Sequence, residues 1–262
     1  MKRYLRVFRQ LLASYFSVAL AYRANFIQST IGSLMWSALS FATAILITNQ
    51  TPSVAGMTRM DLLLLAAGYG VIVGFHHLLC SSGFGGFSTV IHRGELDGYL
   101  LKPFDTLTFL SFRNVAWGSA LRVLGSIVML IWLLNRYEIP VSLVQALSFI
   151  ALGVSSFFLI YSFYTISCTF LIWHPYLSNI IDFIQNAIGT GRYPLDIRRF
   201  TPLAITLIYV PFLLIVNIPV RALTGRLSLE EGIMHILLCA GVLLFSRWFW
   251  KRALWSYTGA SG

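Results

Sequence analysis

The sequence predicts an all-α, polytopic membrane protein with six transmembrane helices in one domain over residues 1–262. Three observations carry that expectation. Only 11% of the residues are charged, against about 25% in soluble domains. Apolar residues make up 57%, enough for roughly six spans of about 20 residues each. The charges also gather between the apolar runs. An aromatic share of 15% and a mean hydropathy of +0.76 exclude a disordered chain.

Residues 1–23 form the first element. At about 100° per residue, Leu5, Val7, Phe8, Leu11, Leu12, Tyr15 and Phe16 fill one half of a helical wheel. Lys2, Arg3, Arg6, Arg9, Gln10, Ser14 and Ser17 fill the other. This predicts an amphipathic interfacial helix whose Lys2, Arg3, Arg6 and Arg9, with Arg23, contact lipid headgroups. No uninterrupted apolar core followed by a small-residue cleavage site precedes Arg23, so the segment is expected to stay in the mature protein.

Ala24 to Thr48 carries no charge and predicts the first span. Leu62 to Leu79 predicts the second, with Asp61 at its outer end. Ala66, Gly70 and Gly74, four residues apart, let another backbone approach, and the expected partner is a helix of the same chain. Val115 to Leu134 predicts the third span, followed by a tight turn over Asn135 to Pro140. Ser142 to Trp173 is longer than one perpendicular crossing needs. Ile233 to Trp250 predicts the last, closed by the Trp, Lys and Arg residues that anchor helices at an interface.

Two drawings fit the stretch between Trp173 and Ile233. In one, Tyr176 to Ile188 lies at the interface and Leu203 to Val220 crosses. In the other, Ile172 to Ile188 crosses and residues 193–223, broken by Pro194, Pro202, Pro211 and Pro219, form a re-entrant pair of short helices covered by protein. Tyr193, Pro194, Pro211 and Pro219 mark that segment. In either drawing the amino-terminal segment, the 81–113 loop and the carboxyl end hold 11 cations against four in the segments placed outside. The positive-inside rule then sets both termini in the cytoplasm.

The residues also exclude chemistry. Gly83-Phe84-Gly85-Gly86 and Gly189-Thr190-Gly191-Arg192 lack the spacing that cradles nucleotide phosphates. His76 and His77 point about 100° apart on a helix and do not converge on a metal, so no metal site is expected. Cys80, Cys168 and Cys239 sit singly in apolar runs and read as small buried side chains. The net charge of +10 points to lipid headgroups rather than nucleic acid, because the cations flank apolar runs. Arg122 and Asp182 are the charges at membrane depth, hence the candidate pathway residues. Trp36, Tyr69, Trp117, Tyr161 and Tyr164 could line an amphiphile's path, although aromatics in spans more commonly pack.

The loop of residues 83–113 is the longest charged stretch between spans. It sets Leu96, Tyr99, Leu100 and Leu101 among His92, Arg93, Glu95, Asp97 and Lys102, then stops at Pro103. A short exposed helix with an apolar edge suits docking of a soluble partner.

In these features the chain resembles ABC-2 type permeases, the membrane subunits of ATP-binding-cassette exporters. The resemblance rests on the basic amphipathic start, Arg93-Gly94-Glu95-Leu96-Asp97 running to Leu100-Leu101-Lys102-Pro103, Gly191-Arg192-Tyr193-Pro194, Val210-Pro211-Phe212, and Ile218-Pro219-Val220-Arg221-Ala222-Leu223-Thr224-Gly225. It is most similar to a bacterial branch that pairs two related permeases with one ATPase. The resemblance implies a coupling helix at about 87–102, with Ile91, Arg93, Gly94, Glu95, Leu96, Asp97, Tyr99, Leu100, Lys102 and Pro103 meeting a groove of a cytoplasmic ATPase dimer. It favours the re-entrant drawing. It also implies a second permease subunit, paralogue or copy, in the bacterial inner membrane. Mg-ATP would belong to the partner, with no cofactor and no catalytic residue in this chain, and the cargo would be an amphiphilic, toxic or lipid-linked compound. A membrane-embedded lipid-modifying enzyme and a secondary carrier are the alternatives.

Overall fold

A computed structural model describes residues 2–50, 53, 56–177, 179–193 and 203–257, with the side chains of 2–8, 11 and 203–209 left aside. Twelve α-helices are described: α1 (Lys2–Ala21), α2 (Arg23–Gln50), α3 (Arg59–His76), α4 (Ser82–Gly85), α5 (Phe87–His92), α6 (Leu96–Leu100), α7 (Thr106–Phe112), α8 (Ala120–Arg136), α9 (Leu143–Trp173), α10 (Ile180–Gly189), α11 (Leu203–Leu223) and α12 (Leu229–Trp255). Five helical stretches are long and apolar enough to cross a membrane. These are α2, α8 with the short 3-10 turn before it, α9, α12, and a continuous path from Arg59 to His92 that begins with α3.

The central span is α3. Its apolar stretch is 72% buried, against 11–33% for the others, which turn apolar side chains outward as a lipid-facing belt. Apolar burial between helices has little driving force in lipid, so close packing decides which helices meet. A Cβ on Gly70 would lie 2.1 Å from Ser126 Oγ, one on Gly74 3.0 Å from Val123, and one on Gly68 2.5 Å from Val220. Gly70 and Gly74 of the small-residue stripe therefore seat α8 of the same chain, as expected, while Gly68, on another face of α3, seats α11. On α8 the inward face is Arg122, Val123, Ser126, Leu130 and Leu133, while Leu121, Leu124, Val128 and Ile131 face out.

Three helices, α3, α9 and α12, begin with capping boxes, Thr58 with Asp61, Ser142 with Gln145 and Ser228 with Glu231. All three satisfy their first amides at the same end of the bundle. That far end is tied by Arg226 to Asp61 at 2.6 Å and Arg221 to Glu231 at 2.8 Å. Helices α9 and α12 run parallel, because contacts climb both together: Ser156 with His235, Phe170 with Phe249, and Trp173 with Ser256. The chain from His174 to Ser228 must therefore return once from the loop end to the far end, which makes six net passages.

That return keeps one part of the first drawing, the helix at Leu203 to Val220, which is α11 (Leu203–Leu223), and corrects the rest of both drawings. The helix α10 has 10 residues, about 15 Å, half of the roughly 30 Å hydrocarbon layer, so Ile172 to Ile188 is not one span. Nor does α10 lie apart as an interfacial helix. It leads into a 3-10 turn, Thr190–Arg192, which meets the middle of α11: a Cβ on Gly191 would lie 2.9 Å from the Phe212 carbonyl, and Asn217 donates to the Tyr193 carbonyl at 3.0 Å. Pro211 and Pro219 lie inside the single helix α11 rather than dividing two short ones. Proline is tolerated there because neighbouring groups re-satisfy the freed backbone. Pro194 and Pro202 fall outside the described residues.

Candidate functional site

The 83–113 loop does not leave α3 as an extended linker. Helix continues through a π-helical stretch, His77–Ser81, into α4 and α5. At its end the Gly94 amide donates to the Ile91 carbonyl and the Glu95 amide to the Val90 carbonyl, both at 3.0 Å. This is a Schellman cap, and Gly94 at φ +65 supplies the left-handed residue it needs. The coupling helix expected at 87–102 is therefore two short helices, α5 and α6, hinged at Gly94.

The hinge sorts the expected docking residues. Leu96 is 0% exposed and anchors the loop from below, which corrects its place on an exposed apolar edge. Ile91 is half-buried, and so is Tyr99. The Tyr99 hydroxyl accepts from Arg113 at 2.6 Å, and its ring carries the Lys102 ammonium 4.4 Å from the centroid. What remains outward is a crown of Arg93, Glu95, Leu100, Leu101, Lys102 and Pro103, with Leu101 87% exposed. Arg93 and Glu95 form an exposed pair at 3.8 Å.

The crown is clamped to the carboxyl-terminal span. Asp105 caps α7 by accepting from the Thr108 amide at 2.9 Å, and the same oxygen accepts from Arg247 of α12 at 2.9 Å. Partial burial pushes the Asp105 carboxyl up, but the Thr108 donors and Arg247 outweigh it and hold it below its ordinary value. Tyr257 faces the Asp97 carboxylate, and its phenol is raised first by partial burial and then by that negative neighbour. Phe87 packs edge-on against Trp250. Beneath the crown, Phe84 stacks on Tyr164 at 5.3 Å and meets Tyr161 of α9.

Arg9 and Arg23 are exposed, while the side chains of Lys2, Arg3 and Arg6 lie outside the described residues. Phe16 of α1 packs on Trp117. Arg122 and Asp182 are not brought together. Arg122 is buried, its guanidinium 5.7 Å from the Tyr69 ring centre, while Asp182 is exposed. Arg122 instead joins Trp36, Tyr69, His77, Gln185 and Arg192 around a cavity of about 260 Å³. Tyr161 and Tyr164 belong to the packed core. His76 is buried between Phe84 and Tyr164. Among the described residues no three His, Cys, Asp or Glu side chains gather where a metal could sit.

Residues 34–261 match the model of a family described as ABC-2 family transporter protein. The chain belongs to that family. The match begins within α2 and includes the loop and every later described helix. No curated protein and no solved structure gave a match. This ABC-2 permease is thus a multi-pass membrane component of a transporter. Sequence reading missed Arg247, Trp250 and Tyr257 as supports of its loop, and Arg192, His77 and Gln185 as companions of Arg122. Only the Gly191-Arg192-Tyr193 motif hinted at any of these.

Proposed function

We propose that this ABC-2 protein is the non-catalytic transmembrane subunit of an exporter, powered by a cytoplasmic ATPase dimer that docks on the crown of α5 and α6. The observation that carries the reading is mechanical. A push on an exposed crown held by Asp105 to Arg247, Asp97 to Tyr257 and Phe87 to Trp250 reaches α12 and, through Phe84, α9, instead of dissipating in a loose loop. The cation bias supports placing the crown and both termini in the cytoplasm of a bacterial inner membrane. A second permease, paralogue or copy, would complete the pathway, and the α10 to α11 return would form a covered gate toward the outside. Mg-ATP is bound and hydrolysed by the partner. Cargo is an amphiphilic, toxic or lipid-linked compound.

Co-expression with an ABC ATPase, sought first in the neighbouring reading frames, tests the docking. Leu101→Asp with Glu95→Lys changes two exposed side chains and leaves Leu96 and Asp97 in place. The wild-type pair is expected to co-purify and the double variant to lose the ATPase. Equal recovery of the ATPase with both proteins would refute docking at the crown, and substrate turnover by the permease alone in proteoliposomes would refute the division of labour.

A further inference from the structure

We propose that the cavity between α2, α3, α8 and α10 binds an oxyanionic headgroup, phosphate or carboxylate, of an amphiphile, gripped by Arg122 and Arg192. The proposal deepens the export reading by naming the cargo's charge, and rests on it only for the direction in which the bound molecule moves.

An arginine at membrane depth is costly unless something compensates its charge. The far-end arginines are compensated, since Arg221 and Arg226 each hold a carboxylate. Arg122 is 7% exposed, its Nε has no hydrogen-bond partner, and no described carboxylate lies within ion-pair distance of it. Arg192 shares the same cavity and its buried Nε is also unpartnered among the described residues. Two guanidinium forks beside one polar hollow match the bidentate geometry of a phosphate or carboxylate better than they match each other.

Size and position specify the rest of the ligand. About 260 Å³ falls just below the 300–1,000 Å³ or so of pockets that enclose a whole drug-sized molecule, so it suits a headgroup with the remainder outside. Tyr69, His77, Gln185 and Asn186 add polar groups to the wall. Trp36, also on the wall, is 61% exposed on the outer face of α2, where an alkyl chain could lie. The Ala116 amide bonds the Leu78 carbonyl, which sets α8's start level with the end of α3. Arg122 is then about 9 Å further in, close enough for a headgroup drawn from the leaflet at the loop end.

The test is native mass spectrometry of the full-length protein released from maltoside micelles and titrated with dodecyl phosphate, with melting temperature recorded for every variant. Wild type is expected to retain one dodecyl phosphate per chain. Arg122→Gln and the less buried Arg192→Gln should each weaken binding about tenfold or more, and Arg122→Lys should recover part of the loss. Unchanged binding in a folded Arg122→Gln, Arg192→Gln double variant would overturn the proposal. Equal affinity for inorganic phosphate would overturn its assignment to an amphiphile. Asp196, the one Asp or Glu side chain outside the described residues, supplies a further arm. Asp196→Asn should leave affinity within twofold, and a tenfold gain would identify Asp196 as the guanidiniums' own partner and reject the site. No ATPase enters the measurement, so its failure and that of the docking reading are distinguishable.

Discussion

A methyl group at Gly83 would sit 2.2 Å from the Ser111 carbonyl oxygen and 2.5 Å from that of Leu110. Both are backbone atoms of α7 and cannot rotate away. Ordinary contact needs more than 3 Å, so α4 and α7 would have to part by about 1 Å, an overpacking cost of about 1–3 kcal/mol. Gly85, in the same helical turn, has nothing within 4 Å of its Cβ position. Alanine there gains roughly 0.5–1 kcal/mol of backbone entropy. Because both glycines share one short helix, the propensity gain cancels in the comparison and the steric term remains. Gly83→Ala should therefore melt several degrees below Gly85→Ala in the same detergent, at about 2–4 °C per kcal/mol for a chain of this size. With an ATPase bound, Gly83→Ala should also lower substrate-stimulated turnover more than it lowers ATPase recovery, since the wedge between crown and core is what shifts. Coincident melting curves for the two variants would refute the close approach of α4 to α7.

Glu138 closes α8 with φ +51, in the same Schellman position that Gly94 fills in α5, with the Glu138 amide bonded to the Asn135 carbonyl and the Ile139 amide to Leu134. The left-handed conformation costs a non-glycine residue about 1–2 kcal/mol, so Glu138→Gly should raise the melting temperature, and a fall would show that the glutamate's side chain matters more than its backbone. Gly94→Val should instead destabilise by about 1–2 kcal/mol and open the angle between α5 and α6, read as reduced ATPase co-purification despite an unchanged Leu101. The Asp105 carboxyl is held below its ordinary value near 3.8, so its ionised form stabilises the fold. That contribution is complete above the ordinary value and is lost as pH falls through the lowered one. Asp105→Asn should therefore flatten the dependence of melting temperature on pH below about 4, whereas an unchanged acid limb would show that the α7 cap and Arg247 clamp do not contribute.

Local composition decided the spans. Runs such as Ala24 to Thr48 and Val115 to Leu134 must become helices in lipid because their own backbone groups have no other partner there, and periodicity within residues 1–23 needs no distant contact to specify an amphipathic face. The same local reading singled out the 83–113 loop but divided its residues poorly. Leu96 and Leu101 look alike in a charged stretch, and only the cap at Gly94 turns one into an anchor and leaves the other exposed. The path of residues 174–228 was undecided from hydropathy, since proline can end a helix or sit inside one. Neighbours such as Asn217, which bonds the Tyr193 carbonyl, contribute to that choice. Tertiary structure alone also joined Asp105 to Arg247 across 142 positions and Arg122 to the cavity wall of Arg192. A charged side chain's sequence neighbours say how far it lies from water, but its partner is set by which helices pack together, and in this chain glycines 70, 74 and 191 determine that by letting backbones meet.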